Sequence, residues 1–159
     1  MLAETIQLET LRQKIEDAEY EAGNQSDYLD RGKPNAKQAK QAQELIEKLN
    51  NQSKALKAEL RQLIATVRSQ QPQAFDEWVN FHIGILQQIA DEKEPGVKVS
   101  TRQFVAKSTL QEWEKVRAGE QDYVGINWHY LKDYKASVRK FESPRAKNSK
   151  NKSWWQFWK

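Results

Sequence analysis

The chain has 159 residues, of which 38% are apolar, with 26 Lys and Arg against 22 Asp and Glu and no Cys. The absence of Cys excludes disulfides, thiolate metal sites and cysteine nucleophiles. Few Gly and Pro in a polar chain favour long helices over a β-sandwich or an α/β sheet. No apolar run of about 18 residues occurs and the start does not resemble a signal peptide, so we expect a cytoplasmic protein without a membrane span.

The positive charge is concentrated at the C-terminal end. Residues 1–70 hold eleven bases and eleven acids, and residues 71–143 hold ten bases and eleven acids. Residues 144–159 hold five bases and no acid. The body of the chain is therefore nearly neutral, which argues against a nucleic-acid surface that extends over the whole protein.

The first predicted helix covers residues 2–22, with Gly23 as its C-terminal cap and a polar loop over residues 23–35. Within that loop, Tyr28 and Leu29 would lie at the tip of a helical hairpin. They are a candidate contact with a partner, or they pack against the helix ends. The helix prediction depends on five apolar residues spaced three and four apart: Leu8, Leu11, Ile15, Ala18 and Ala22.

The second predicted helix, residues 36–69, has the strongest pattern in the chain. Asn35 and Gln38 form a capping box at its start, and apolar residues then follow at spacings of three and four. Mostly uncharged flanking positions and a wide apolar face favour an antiparallel hairpin with the first helix. The first helix would cover two-thirds of the second, which leaves an assembly surface for the C-terminal half or for a second copy of the chain. That surface consists of Leu56, Leu60, Leu63 and Val67.

Three further helices are predicted in a small aromatic-rich domain. An apolar helix of about 20 residues starts at Pro72. Residues 97–109 are ambiguous, because Val97 and Val99 alternate as in a short strand. Thr109 and Glu112 then form a capping box that opens a short helix closed by Gly119, and a last helix covers about 126–142.

The two histidines, His82 and His129, raise the question of a metal or catalytic site. His82 lies on an apolar helical face, and neither histidine belongs to an HExxH or Glu-x-x-His motif. We interpret both as packed core residues. No catalytic residue, metal site or cofactor is expected.

The C-terminal tail, residues 144–159, combines aromatic and basic residues. Trp favours membrane interfaces, basic residues favour anionic surfaces, and large aromatic residues are frequent anchors in protein–protein contacts. The tail could therefore bind a partner protein, an anionic membrane or single-stranded nucleic acid, or fold back onto its own body. The residues expected to bind are Trp154, Trp155, Phe157, Trp158, Lys147, Lys150 and Lys152.

Together these patterns predict a mainly α-helical protein with three parts. Residues 1–70 form a long antiparallel, coiled-coil-like helical hairpin, residues 71–143 a small aromatic-rich helical domain, and residues 144–159 a flexible tail. We expect a non-enzymatic adaptor or scaffold, a homo-oligomer in one interpretation, whose tail docks to a partner protein or an anionic membrane surface. The alternative is a nucleic-acid-binding accessory protein whose tail contacts single strands, although nucleic acid is the less expected partner.

Overall fold

The computed structural model describes residues 1–92 and 100–140, and within these ranges all regular secondary structure is helical. The predicted fold class, mainly α with a long antiparallel helical pair, is confirmed. The five helices are α1 (Ala3–Arg31), α2 (Ala36–Gln70), α3 (Pro72–Ala90), α4 (Thr101–Arg117) and α5 (Lys132–Arg139).

Helix α1 is longer than predicted, since it continues through Gly23 and ends at Arg31. Glycine inside a helix costs only about 1 kcal/mol relative to alanine, and packing along α2 outweighs that cost. The true cap is Gly32, whose backbone N–H donates to the carbonyl of Tyr28 at 2.8 Å. The predicted loop therefore shortens to residues 32–35, in which Lys33 adopts a left-handed conformation with φ of 48°.

Helix α2 begins where the sequence predicts, because its capping box is present in full. The Asn35 side chain accepts from the Gln38 backbone N–H at 2.8 Å, and the Gln38 side chain accepts from the Asn35 N–H at 3.1 Å. Such caps stabilise a helix by about 1 kcal/mol. Further along the hairpin, Glu19 on α1 forms an ion pair with Lys57 on α2.

Helix α4 begins at Thr101, inside the segment 97–109 that the sequence left ambiguous. The predicted helix start after Thr109 is therefore wrong. Ser100 caps α4 instead: its hydroxyl accepts from the Gln103 N–H at 3.2 Å, and the Gln103 side chain accepts from the Ser100 N–H at 3.1 Å. Thr109 lies in mid-helix and donates to the Val105 carbonyl four residues earlier. Val97 and Val99 lie outside the described residues.

Helix α5 is shorter than the predicted helix over 126–142. Leu131 precedes it with a non-helical backbone (φ −119°, ψ 47°), which separates α5 from a turn at 127–131. Leu131, Tyr134 and Val138, which are spaced three and four apart in the sequence, are nevertheless fully buried. Phe141 continues this spacing but lies outside the described residues.

The chain forms two compact units, each made from separate segments. The first unit consists of Met1–Val79 and Glu112–Gly125. Of the second unit, the structure describes residues 80–92, 100–111 and 126–140. These units differ from the consecutive ranges expected from the sequence, because α3 and α4 each contribute residues to both.

The two units carry opposite charge. The first contains thirteen Lys and Arg against seventeen Asp and Glu, for a formal net charge of −4. The described residues of the second contain six bases and three acids, for a net charge of +3. The excess of positive charge therefore begins before residue 144. The charge counts over consecutive ranges of the sequence do not show this.

Candidate functional site

A cluster of charged side chains is buried inside the first unit. Glu9 and Arg12 on α1 are fully inaccessible to solvent, and Glu16, one turn further on, is 6% exposed. The Arg12 guanidinium donates from Nε and Nη2 to the two oxygens of Glu9 at 2.9 and 3.0 Å. Its Nη1 donates to Glu16 at 2.8 Å. One guanidinium thus holds two carboxylates in the interior, where an unpaired charge would be costly.

The same cluster joins distant parts of the chain. Arg12 Nη1 also donates to the backbone carbonyl of Val124, 112 residues away, at 3.2 Å. The indole N–H of Trp78 on α3 donates to Glu9 at 3.1 Å. Trp78 in turn packs edge-on against Trp113 of α4, with 4.9 Å between ring centroids. The cluster therefore joins the start of α3, the end of α4 and the segment before Gly125 to α1.

Tyr123 lies at the edge of this cluster. Burial, together with the negative charges of Glu19 and Glu16, raises the pKa of the Tyr123 phenol far above its usual value. The hydroxyl is hydrogen-bonded to Glu19, and the Lys57 ammonium lies 5.2 Å from the centre of the ring. The raised pKa therefore keeps the phenol protonated, so that its hydroxyl can donate to Glu19.

The second unit contains one buried histidine. His82 is fully buried, and its Nδ1 lies 2.5 Å from the hydroxyl of Tyr134 on α5. This agrees with the interpretation of His82 as a packed core residue. The same interpretation is wrong for His129, which is exposed because it lies in the turn that precedes α5.

That turn presents three consecutive aromatic residues to solvent. Trp128 is 46% exposed and Tyr130 is 41% exposed, with His129 between them. The His129 ring meets each neighbour edge to face, at 5.8 Å from Trp128 and 4.9 Å from Tyr130. The turn is held by a hydrogen bond from the Leu131 N–H to the Asn127 carbonyl at 2.8 Å. It is the most concentrated exposed aromatic surface in the described part of the chain.

The predicted contact residues near the hairpin tip lie on α1, not in a loop. Tyr28 is 37% exposed and Leu29 is half-buried. They occupy the last turns of the helix, beside the cap at Gly32. Tyr28 therefore remains accessible, while Leu29 is partly covered by the protein itself.

The predicted assembly residues on α2 are mostly covered by the chain's own residues. Leu60 and Val67 are buried and are not open to a second copy, whereas Leu56 and Leu63 are half-buried. The segment Glu112–Gly125 lies along this part of α2 through three contacts: Asp122 with Arg61 at 2.9 Å, Tyr123 with Lys57, and the Arg117 carbonyl with Arg68 at 3.3 Å. Of the two partners considered from the sequence, these contacts favour the C-terminal half.

The predicted tail site lies outside the described residues. This applies to Trp154, Trp155, Phe157 and Trp158 and to the basic residues Lys147, Lys150 and Lys152.

Sequence reasoning missed the ionic cluster and the aromatic turn. Glu9, Arg12 and Glu16 are spaced three and four apart beside the apolar stripe of α1, and this second stripe was a detectable signal. In contrast, the partners Trp78 and Val124 carry no local signal, since only the fold brings them to Arg12. The turn was missed because Trp128 and Tyr130 were assigned to a longer helix.

No group of three or more His, Cys, Asp or Glu side chains in residues 1–92 and 100–140 could hold a metal ion. No helix there is both long and apolar enough to cross a bilayer. Comparison with protein families, curated proteins and solved structures finds no match for this chain.

Proposed function

We propose that the protein is a non-enzymatic adaptor or scaffold. Its helical body holds itself together, and its C-terminal tail docks to a partner protein or to an anionic membrane surface. The observation that carries this proposal is the composition of residues 144–159, which hold five bases, no acid and three of the six tryptophans. Large aromatic side chains next to unopposed positive charge are suited to binding an acidic or interfacial surface.

The buried cluster supports the body's part in this proposal. Arg12, Glu9 and Glu16 meet one another, the Trp78 indole and the Val124 carbonyl, and all lie in the interior. They therefore serve to fix the helices against one another. This internal support is consistent with a helical body that holds itself together without a partner.

A single tail would bind weakly on its own. Burying a large side chain contributes about 1.5–3 kcal/mol, while ordering a free chain costs about 1–2 kcal/mol per residue. Binding becomes durable when a second contact or a second copy acts together with the tail, because the later contact is then intramolecular.

The test compares the full-length protein with a Trp154/Trp155/Trp158→Ala variant in two assays. One assay is flotation with vesicles of phosphatidylcholine and phosphatidylserine, and the other is affinity capture of proteins from cell extract. We expect the variant to lose lipid or specific protein partners that the parent retains. The same lipids and proteins recovered with both chains would refute the proposed function of the tail.

A salt titration with single-stranded DNA tests the rival nucleic-acid function. Binding through the tail lysines would weaken steeply as salt is raised, because phosphate contacts release counterions. If the affinity for single-stranded DNA is low and changes little with salt, the nucleic-acid function is ruled out. A steep response would replace the proposed adaptor function if the Trp154/Trp155/Trp158→Ala variant also bound the strand more weakly than the parent.

A further inference from the structure

The second unit has a basic, aromatic surface that is independent of the tail. Its described residues carry a net charge of +3, in contrast to −4 for the first unit. Two of its bases, Lys132 and Lys140, are exposed at the two ends of α5. The aromatic turn immediately precedes the first of them, so exposed rings and positive charge lie next to one another.

The turn is anchored firmly enough to present its rings. Leu131, at its end, is fully buried, as are Tyr134 and Val138 on the inner face of α5. Tyr134 is also bonded to the buried His82. Trp128 and Tyr130 therefore project from a fixed base, which limits the entropy lost when they bind.

The backbone of the turn is partly satisfied internally. The Leu131 N–H donates to the Asn127 carbonyl at 2.8 Å, and the Tyr130 N–H is directed at the Asn127 side-chain oxygen at 3.4 Å. A segment with satisfied donors loses less free energy when it leaves bulk water. Such a turn can enter the headgroup layer of a bilayer without exposing these two amides to an apolar environment.

We propose that the second unit docks to an anionic lipid surface through Trp128 and Tyr130, with Lys132 and Lys140 facing the headgroups. Trp and Tyr favour the membrane interface, where the ring is partly buried and the N–H or O–H remains hydrated. Lysines near an anionic surface add an attraction that salt screens. Shallow insertion of this kind needs only a projecting turn, whereas a protein partner would need a matching pocket.

The ring geometry favours lipid over single-stranded nucleic acid. Bases stack on open aromatic faces. In the turn, the rings meet at interplanar angles of 88° and 84°, so within each pair the edge of one ring covers a face of the other. In each pair at least one ring face is therefore covered and is not open to a stacked base.

This docking surface extends the proposed adaptor function but uses different residues. Stable attachment to a bilayer generally requires two signals, because each one alone is weak and reversible. The turn and the tail would supply two signals on one chain. The turn can be shown not to bind lipid while the tail does, and the reverse is equally possible.

The test measures partitioning of the full chain onto phosphatidylcholine vesicles with and without phosphatidylserine. A Trp128→Ala/Tyr130→Ala variant removes the rings, and a Lys132→Ala/Lys140→Ala variant removes the charges. Tyr20→Ala is the matched control, since Tyr20 is 43% exposed but belongs to the acidic first unit. Circular dichroism checks that each variant keeps its helical content.

We expect the ring variant to lower partitioning onto anionic vesicles about tenfold, which corresponds to about 1.4 kcal/mol. The lysine variant should reduce the preference for anionic over neutral vesicles, and Tyr20→Ala should bind like the parent. A Trp154/Trp155/Trp158→Ala variant run in parallel separates the two proposals. If only this tail variant loses binding, the docking turn is refuted while the proposed function stands.

Three other results would also refute the proposal that this turn docks to an anionic lipid surface. The first is a parent chain that does not bind anionic vesicles, and the second is equal binding to both vesicle types. The third is a ring variant that binds vesicles normally but no longer binds a single-stranded oligonucleotide, which would assign the turn to nucleic acid.

Discussion

Arg12 is the residue with the largest expected effect on stability. Its guanidinium is fully buried and donates to Glu9, Glu16 and the Val124 carbonyl. Arg12→Ala would leave two carboxylates in the interior without this partner. Breaking a buried ion pair in this way costs about 3–5 kcal/mol, so we expect a loss of that size in the free energy of unfolding, measured by urea denaturation.

The matched control for Arg12 is Arg61→Ala, which removes an exposed ion pair with Asp122. Exposed pairs contribute about 0–1 kcal/mol. If both variants unfold at the same urea concentration as the parent, the buried cluster does not hold the first unit together.

Tyr123 gives a prediction about pH. Its folded pKa is raised above the unfolded value of 10.0, so the folded state retains the phenol proton more tightly. The stability that Tyr123 contributes is therefore complete below about pH 10 and is lost as pH rises further. At neutral pH, Tyr123→Phe should lose about 1 kcal/mol with the hydrogen bond to Glu19.

The measurement for Tyr123 is urea denaturation of parent and Tyr123→Phe at about pH 8 and about pH 11. The difference in unfolding free energy between them should narrow at the higher pH. A Tyr20→Phe variant corrects for the general effect of alkali. A difference that stays constant between the two pH values would show that Tyr123 does not bind its proton more tightly in the folded state.

At the scale of elements, α1 can be stabilised where it contains glycine. Gly23 lies inside α1, and a Cβ atom there would meet no atom within 4 Å. Gly23→Ala should therefore raise the free energy of unfolding by about 0.5–1 kcal/mol. Gly119→Ala should lower it by about 1 kcal/mol, because Gly119 has a φ of +81°.

Urea denaturation of the two glycine variants tests this contrast directly. Both changes add one methyl group, so they differ mainly in backbone conformation. A destabilising Gly23→Ala would mean that the helix is interrupted at Gly23, as the sequence first suggested.

The elements show what local sequence can predict. The start of α2 was predictable because the Asn35 and Gln38 capping box and the apolar stripe after it are both local patterns. The start of α4 was missed, although Ser100 and Gln103 have the same capping spacing, because Thr109 and Glu112 offered a competing box. Thr109 instead bonds back to Val105, which threonine does in helix interiors.

The sites were less predictable than the helices. The burial of Arg12 depends on Val124 and Trp78, which approach α1 only through long-range packing. The exposure of Trp128 depends on α5 starting at Lys132 instead of 126, a difference that hydrophobic spacing does not resolve. Helix boundaries are the part of a sequence prediction that errs most readily.

At the scale of the whole molecule, charge divides by compact unit as well as by position along the chain. The first unit is acidic and contains the buried ionic cluster, while the described residues of the second unit are basic and carry the aromatic turn. An anionic surface would attract the second unit and repel the first. The proposed docking turn therefore lies in the unit whose charge favours its encounter with such a surface.

The separation of 112 positions between Arg12 and Val124 also bears on how the protein is made. Both helices of the hairpin leave the ribosome before the segment that covers Arg12 has been translated. During that interval Glu9, Arg12 and Glu16 are not yet covered by this segment, and we expect their hydrated charges to oppose aggregation of the nascent chain. On this expectation, the side chains that are buried together in the folded protein also help to keep the growing chain in solution.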